Sequence, residues 1–241
     1  RDQFKGTFEG NAHSINNLII NRTNTNYQGL FGYNAGTIKG LKLENIKVTG
    51  NQYVGIISGY NTGSITSIIA KGNVSGYQYA GLAIGKHEAG TLETVVEGDV
   101  HSTYSNNSYY ANVGGIVGYA KNNTTTKGIY LSGNVTTSGA AVSRTIGYKH
   151  TDASPSTIAT NTIKVKNTTN VTDTGISNLN GYTAPSTGIE NISILETILD
   201  TYVAGDNNGD GYYYDNDAGG NVTIYSKETH PLTITMSKSG S

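Results

Sequence analysis

A short apolar box that closes on glycine recurs along the first 150 residues, and no other feature restricts the fold of this chain so tightly. It reads Gln28-Gly29-Leu30-Phe31-Gly32, Gly55-Ile56-Ile57-Ser58-Gly59, Gly81-Leu82-Ala83-Ile84-Gly85, Gly114-Gly115-Ile116-Val117-Gly118 and, in worn form, Ser143-Arg144-Thr145-Ile146-Gly147. The closing glycines stand 27, 26, 33 and 29 residues apart. Tyrosine follows that glycine at Tyr33, Tyr60, Tyr119 and Tyr148, with Lys86 the exception, and asparagine comes next at Asn34 and Asn61. A second box, Gly-Asn/Asp-Val, keeps register with the first at Gly72-Asn73-Val74, Gly98-Asp99-Val100 and Gly133-Asn134-Val135. Units this short cannot bury a core alone, so they must stack on one another.

Between the boxes the apolar residues alternate in short runs, as in Ile38, Leu41, Leu43, Ile46 and Val48. Period-two runs broken by Gly and Asn read as strands with tight turns. About 26 residues make roughly three short strands per coil, and stacked coils about 4.8 Å apart pair their backbones and bury one apolar column. The expected fold is therefore all-β: a β-solenoid (parallel β-helix) with about 26–30 residues per coil over residues 1–180. The polar stretch Ser102–Ala111 reads as a loop bulging from one corner, and no N-terminal cap is evident in the pattern.

Composition agrees with a lean, turn-rich chain: 35% hydrophobic, 14% charged, Gly 32 against Pro 3. No 18-residue apolar run exists, so no transmembrane helix is expected. Cys 0 excludes disulfides, thiolate metal sites and cysteine nucleophiles. A start at Arg1 without a signal-like segment reads as a mature or excised piece. The Asn/Thr/Gly/Tyr-rich, cysteine-free composition suits an extracellular or cell-surface protein, and a net charge of −1 argues against nucleic acid as partner.

With Gly-x-Asn-x-Gly after the apolar box and Gly-Asn-Val behind it, residues 4–150 resemble the GLUG repeats of bacterial surface proteins, as in adhesins and the N-terminal regions of IgA-specific metallopeptidases. The opening run Phe4-Lys5-Gly6-Thr7-Phe8-Glu9-Gly10 is similar to the segment that precedes those repeats. The resemblance implies a β-helical, non-catalytic, cell-surface segment.

Little catalytic chemistry offers itself. A zinc peptidase needs His-Glu-x-x-His on one helix face, whereas His87-Glu88 is followed by Ala89-Gly90 in a turn context. His13, His101, His150 and His230 show no ligand spacing, and no Gly-x-Ser-x-Gly elbow or Walker loop occurs. Glu93, Glu97 and Asp99 raise a carbohydrate-active β-helix as one reading, because such enzymes set acids on one face of adjacent coils; solvated coil edges are the other. Tyr33, Tyr60, Tyr119 and Tyr148 stack under solenoid register into a ladder that Lys86 interrupts. Two readings of it stand: a structural ladder, or a platform for a surface glycan or a protein of a host or neighbouring cell. Sequons such as Asn21, Asn73, Asn134, Asn167 and Asn221 open the question of glycosylation.

The remainder is a different unit. Residues 1–166 hold 14 Lys/Arg against 8 Asp/Glu, a net of +6, while residues 167–226 hold 8 acids and no base. Within that acidic stretch, Asp206-Asn207-Asn208-Gly209-Asp210-Gly211-Tyr212 runs on to Asp217. Oxygen ligands at positions one, three and five with Gly at six match a Ca2+ loop. Asp206, Asn208, Asp210 and Asp217 would supply side chains and Tyr212 its carbonyl. An acidic hairpin turn is the alternative. Ile194, Leu195, Ile198, Leu199 and Tyr202 at helical spacing predict a helix just before it. Residues 181–241 are thus expected to form a small α+β cap with a possible calcium loop. A structural or adhesive surface module is the leading functional reading; a head-to-tail filament subunit, with the chain itself as partner, follows from the charge split and the open coil edges.

Overall fold

A computed structural model describes residues 2–105, 112–121 and 124–138, with the side chains of 125 and 127–132 excepted, and the backbone strands 144–149, 162–169, 212–216 and 222–226. The described residues are all-β, and their parallel strands stack as a β-solenoid of about four turns. The first coil carries β1 (Thr7–Glu9), β2 (Ser14–Asn16) and β3 (Ile19–Asn21). The next carries β4 (Phe31–Asn34), β5 (Thr37–Thr49) and β6 (Gln52–Val54), and the same plan repeats in β7 (Ser58–Asn61), β8 (Ser64–Gly76) and β9 (Gln78–Gly81). It returns in β10 (Ile84–His87), β11 (Gly90–Glu97) and β12 (Val100–Ser102), then in β13 (Val113–Ala120) with β14 (Thr124–Thr137), and in β15 (Arg144–Lys149) with β16 (Thr162–Thr169).

Two parallel sheets result. One runs β1-β5-β8-β11-β14 and continues to β16; the other runs β4-β7-β10-β13 with β15, β9 and β6 joined to it. Register keeps like residues on like. Phe8, Ile38, Ile65, Leu92 and Thr126 form one column, and Ile20, Val48, Val74, Val100 and Val135 another. The second column is the valine of the Gly-Asn/Asp-Val box. Ile38, Ile65, Leu92, Val100 and Val135 are wholly buried, so each coil completes the core of the one before it.

The long strands β5 and β8 differ from the expected short runs, at 13 residues each. Parallel pairing carries through the bends, because single left-handed residues, Gly40 (φ 65°) and Ser67 (φ 60°), turn the chain without unpairing it. The glycine of the second box has a steric cause. A Cβ on Gly98 would fall inside the carbonyl oxygen of Gly72, and φ there is 134°. The next residue ties the corners together: Asp99 Oδ1 accepts from Asn134 N at 2.8 Å and from Asn134 Nδ2 at 2.9 Å, while Asp99 N donates to Asn73 Oδ1 at 3.1 Å.

The N-terminal coil carries a plug that the repeat pattern hid. All three phenylalanines of the chain form it, Phe4 and Phe8 of the first coil packing on Phe31 of the next at ring separations of 4.8 and 5.5 Å. At the other end, β17 (Tyr212–Asn216) and β18 (Val222–Ser226) form an antiparallel hairpin. The helix expected over 192–203 lies outside the described residues, as do Asp206, Asn208, Asp210 and Asp217 and most of the 102–111 loop.

Candidate functional site

The sheet that contains β4, β7, β10 and β13 carries a seam of tyrosines two columns wide. Tyr33, Tyr60, Lys86, Tyr119 and Tyr148 share one register position. Tyr33 and Tyr60 bring their rings to 4.6 Å. The backbone of Tyr148 continues the column, and its side chain lies outside the described residues.

Beside it runs a second column, set just ahead of the repeated apolar boxes. Tyr27 stacks on Tyr53 at 4.8 Å with 30° between planes, and Tyr53 stacks on Tyr79 at 4.8 Å with 18°. Cross-contacts join the columns: Tyr60 to Tyr27 at 5.9 Å, Tyr60 to Tyr53 at 5.8 Å, and Tyr79 to Tyr119 at 5.9 Å. The signal was present in the sequence. Tyr27, Tyr53 and Tyr79 each stand two residues before the glycine that opens the box, 26 residues apart.

These three tyrosines sit in the left-handed region, with φ of 62°, 60° and 55°, and Asn112 takes the same conformation (φ 49°) in the next coil. The turn costs a non-glycine residue roughly 1–2 kcal/mol. Two stacked pairs contribute about 0.5–1.5 kcal/mol each, so stacking alone falls short and the half-burial of each ring supplies the rest. The closing glycine of the box makes room for the turn: a Cβ on Gly59 would stand 2.6 Å from the Tyr53 carbonyl oxygen and 2.7 Å from Tyr27 Cα.

Lys86 continues the ladder rather than interrupting it. Its ammonium lies 5.2 Å from the Tyr60 ring centroid and 5.1 Å from that of Tyr119, a cation between two ring faces. Glu88 collects the two surrounding cations, Lys86 Nζ at 2.7 Å and Lys121 Nζ at 2.6 Å. Burial pushes the Glu88 carboxyl up, but hydrogen bonds from Lys121 and Lys86, the charge of Lys86 and the Tyr60 hydroxyl outweigh it and hold the group at about 2. Burial, then the negative charge of Glu88, pushes the Tyr60 phenol well above its ordinary value.

In the Tyr27–Tyr53–Tyr79 column the stacked rings cover one another's faces, whereas Tyr33 and Tyr60 meet at 46°. A ligand on Tyr33, Tyr60 or Tyr119 would meet half-buried rings beside the Lys86 ammonium.

The acids of the carbohydrate-active reading are not brought together. Glu93 and Glu97 lie on one strand, four residues and about 13 Å apart along an extended chain, beyond the roughly 5–9.5 Å of a glycosidase pair. Glu97 pairs with Lys71 at 2.9 Å and Asp99 serves the corner. Among the described residues no group of three or more His, Asp and Glu could hold a metal ion, and no helix is long and apolar enough to cross a membrane. His87 is buried within the solenoid, and His101 Nδ1 meets Thr136 Oγ1 at 2.9 Å. Of the calcium set only Tyr212 is described, at the start of β17.

Fold and seam together define a parallel β-solenoid whose polar and aromatic side chains form ladders between coils. No family model matches the chain, and no solved structure does. A stretch of 93 residues is 38% identical to Halomucin of Haloquadratum walsbyi (strain DSM 16790 / HBSQ001). That stretch is 38% of this chain and 1% of Halomucin, so the chain matches only a small part of that protein.

Proposed function

We propose that this chain is a non-catalytic structural or adhesive β-solenoid module of an extracellular surface protein. The observation that carries the reading is the in-register seam: tyrosines, Lys86, Glu88, Asp99 and Asn134 are engaged in coil-to-coil contacts, as suits a stiff spacer. The likeness to Halomucin and the GLUG-like boxes support a surface location, and the wide separation of Glu93 and Glu97 supports a non-catalytic role. An adhesive contact with a surface glycan or a protein of a neighbouring cell would use Tyr33, Tyr60, Tyr119 and Tyr148. Labelling intact source cells with an antibody to this chain tests the location: signal on unbroken cells is expected, and signal that needs lysis overturns it.

A filament subunit is the second reading, favoured by the edge strands β1, β2 and β3, among which Ile19 is 67% exposed. Calcium at Asp206, Asn208, Asp210, Asp217 and the Tyr212 carbonyl belongs to the same proposal. Titration calorimetry at millimolar calcium checks it, with Asp210→Ala expected to abolish the heat.

A further inference from the structure

We propose that the tyrosine seam is a site of one-electron oxidation that ends in carbon–carbon dityrosine links between consecutive coils: Tyr27 to Tyr53, Tyr53 to Tyr79 and Tyr33 to Tyr60. The oxidant class is a peroxide acting through a haem peroxidase. The product is a covalent lock along the axis of a chain that has no cysteine with which to make one.

Three observations converge on this. Composition comes first: the chain has 18 Tyr but Cys 0, Trp 0 and Met 1, so a radical formed on it meets no thiol or indole and settles on tyrosine. Geometry comes second. The three pairs have ring centroids 4.6–4.8 Å apart and every ring is half-buried, so the ortho carbons flanking each hydroxyl stand near the partner ring and the edges are reachable from solvent. Register fixes this arrangement, because each Tyr sits at the same place in its coil and its neighbour lies one coil spacing away.

The third observation is a proton acceptor. Losing an electron makes a phenol strongly acidic, and the Glu88 carboxylate stands by the Tyr60 ring through Lys86, whose ammonium is 2.7 Å from Glu88 Oε2 and 5.2 Å from the Tyr60 ring centroid. Tyr60 is also the hub of the seam, in contact with Tyr33, Tyr27 and Tyr53. A radical formed at Tyr60 can therefore pass by ring-to-ring electron transfer into either column.

The chemistry balances. Each of two tyrosines gives one electron to the oxidant and loses its phenolic proton. The radicals join through a bond between ortho carbons, and the hydrogens on those carbons move to the two oxygens to restore both phenols. Two electrons and two protons leave per link, which reduces one hydrogen peroxide to two waters.

The test uses the full chain, dilute so that links within one molecule dominate, treated with hydrogen peroxide and a haem peroxidase. Dityrosine fluorescence should appear without a change in molecular size. After trypsin, peptide 23–39 should be found joined to 48–71, and 48–71 joined to 72–86, with a loss of two hydrogens for each link. Tyr53→Phe keeps a ring in the stack and should remove the links to Tyr27 and Tyr79 while leaving Tyr33 to Tyr60. Glu88→Gln should slow formation of the Tyr33 to Tyr60 link relative to wild type. Links confined to tyrosines outside the seam, links only between molecules, or no dityrosine in a chain that retains its β-sheet spectrum would each overturn the proposal. None of these outcomes depends on where in or on the cell the chain resides.

Discussion

Asn34, Asn61 and His87 are wholly buried, yet each is polar, and together they solve the cost of burial by bonding coil to coil. Asn34 Oδ1 accepts from Gly36 N at 3.1 Å, which fixes the amide so that Nδ2 donates to Asn61 Oδ1 at 2.7 Å. Asn61 Nδ2 then points to His87 Nδ1 at 3.1 Å, so that nitrogen is the acceptor and the ring proton belongs on Nε2. Glu88 ties stability to pH. Its carboxyl is held at about 2 against an ordinary 4.5, so its contribution is complete above 4.5 and lost as pH falls toward 2. Glu88→Gln should remove that step from a urea-melt series, and a step that persists in the variant would show that another group carries it.

At the scale of a strand and its corner, the Gly-Asn/Asp-Val box was legible because all three positions answer to one geometry. Glycine stands where backbones come closest, Asn or Asp caps the next coil, and valine fills the column. Gly98→Ala should therefore cost about 3 kcal/mol or more, since it adds a strained dihedral (about 1–3 kcal/mol) to forced displacement of the Gly72 carbonyl (about 1–3 kcal/mol). Gly6→Ala meets only the Phe4 ring, at 3.6 Å, and should stay within about 0.5 kcal/mol of wild type. Equal losses in denaturant melts of the two variants would refute the steric account. The second tyrosine column was less legible, although its 26-residue spacing is plain in the sequence. No propensity rule sets Tyr at positive φ, and a bulky residue there reads as an unremarkable strand position until Gly59 is seen to clear space for the turn. Lys86 looked like a gap for a similar reason. Residue type alone does not say that an ammonium can fill a ring's place between two other rings. The fold class depended only on periodicity, which is why it was read from sequence while these local departures were not.

Over the whole molecule, what decides between a spacer and a filament is how the described solenoid treats its ends and its charge. The lysines of the described coils are largely matched nearby: Lys39 to Glu9 at 2.6 Å, Lys42 to Glu44 at 2.8 Å, Lys71 to Glu97 at 2.9 Å, and Lys86 with Lys121 to Glu88. The net of +6 over residues 1–166 already counts these acids, so what remains for a head-to-tail attraction is the excess of bases alone. The first two coils, meanwhile, pack Phe4, Phe8 and Phe31 against the N-terminal end of the apolar column beside Ile15, Leu18, Ile20 and Leu30, all half-buried. Aromatic bulk at a solenoid end either closes the column against solvent or offers it to a second copy, and the two roles give opposite responses to one change. If the rings are a plug, the unaltered chain stays monodisperse in light scattering as concentration rises. Phe4→Ala with Phe8→Ala then uncovers the column, leaves the edges of β1, β2 and β3 less protected and drives association. If the rings are a contact, the unaltered chain assembles and the double variant dissolves into monomers. The tilted and edge-on packing of the three rings on one another, at 4.8 and 5.5 Å, satisfies them within the chain, so the plug is the expected outcome. Assembly of the unaltered chain that the double variant abolishes would instead establish the filament.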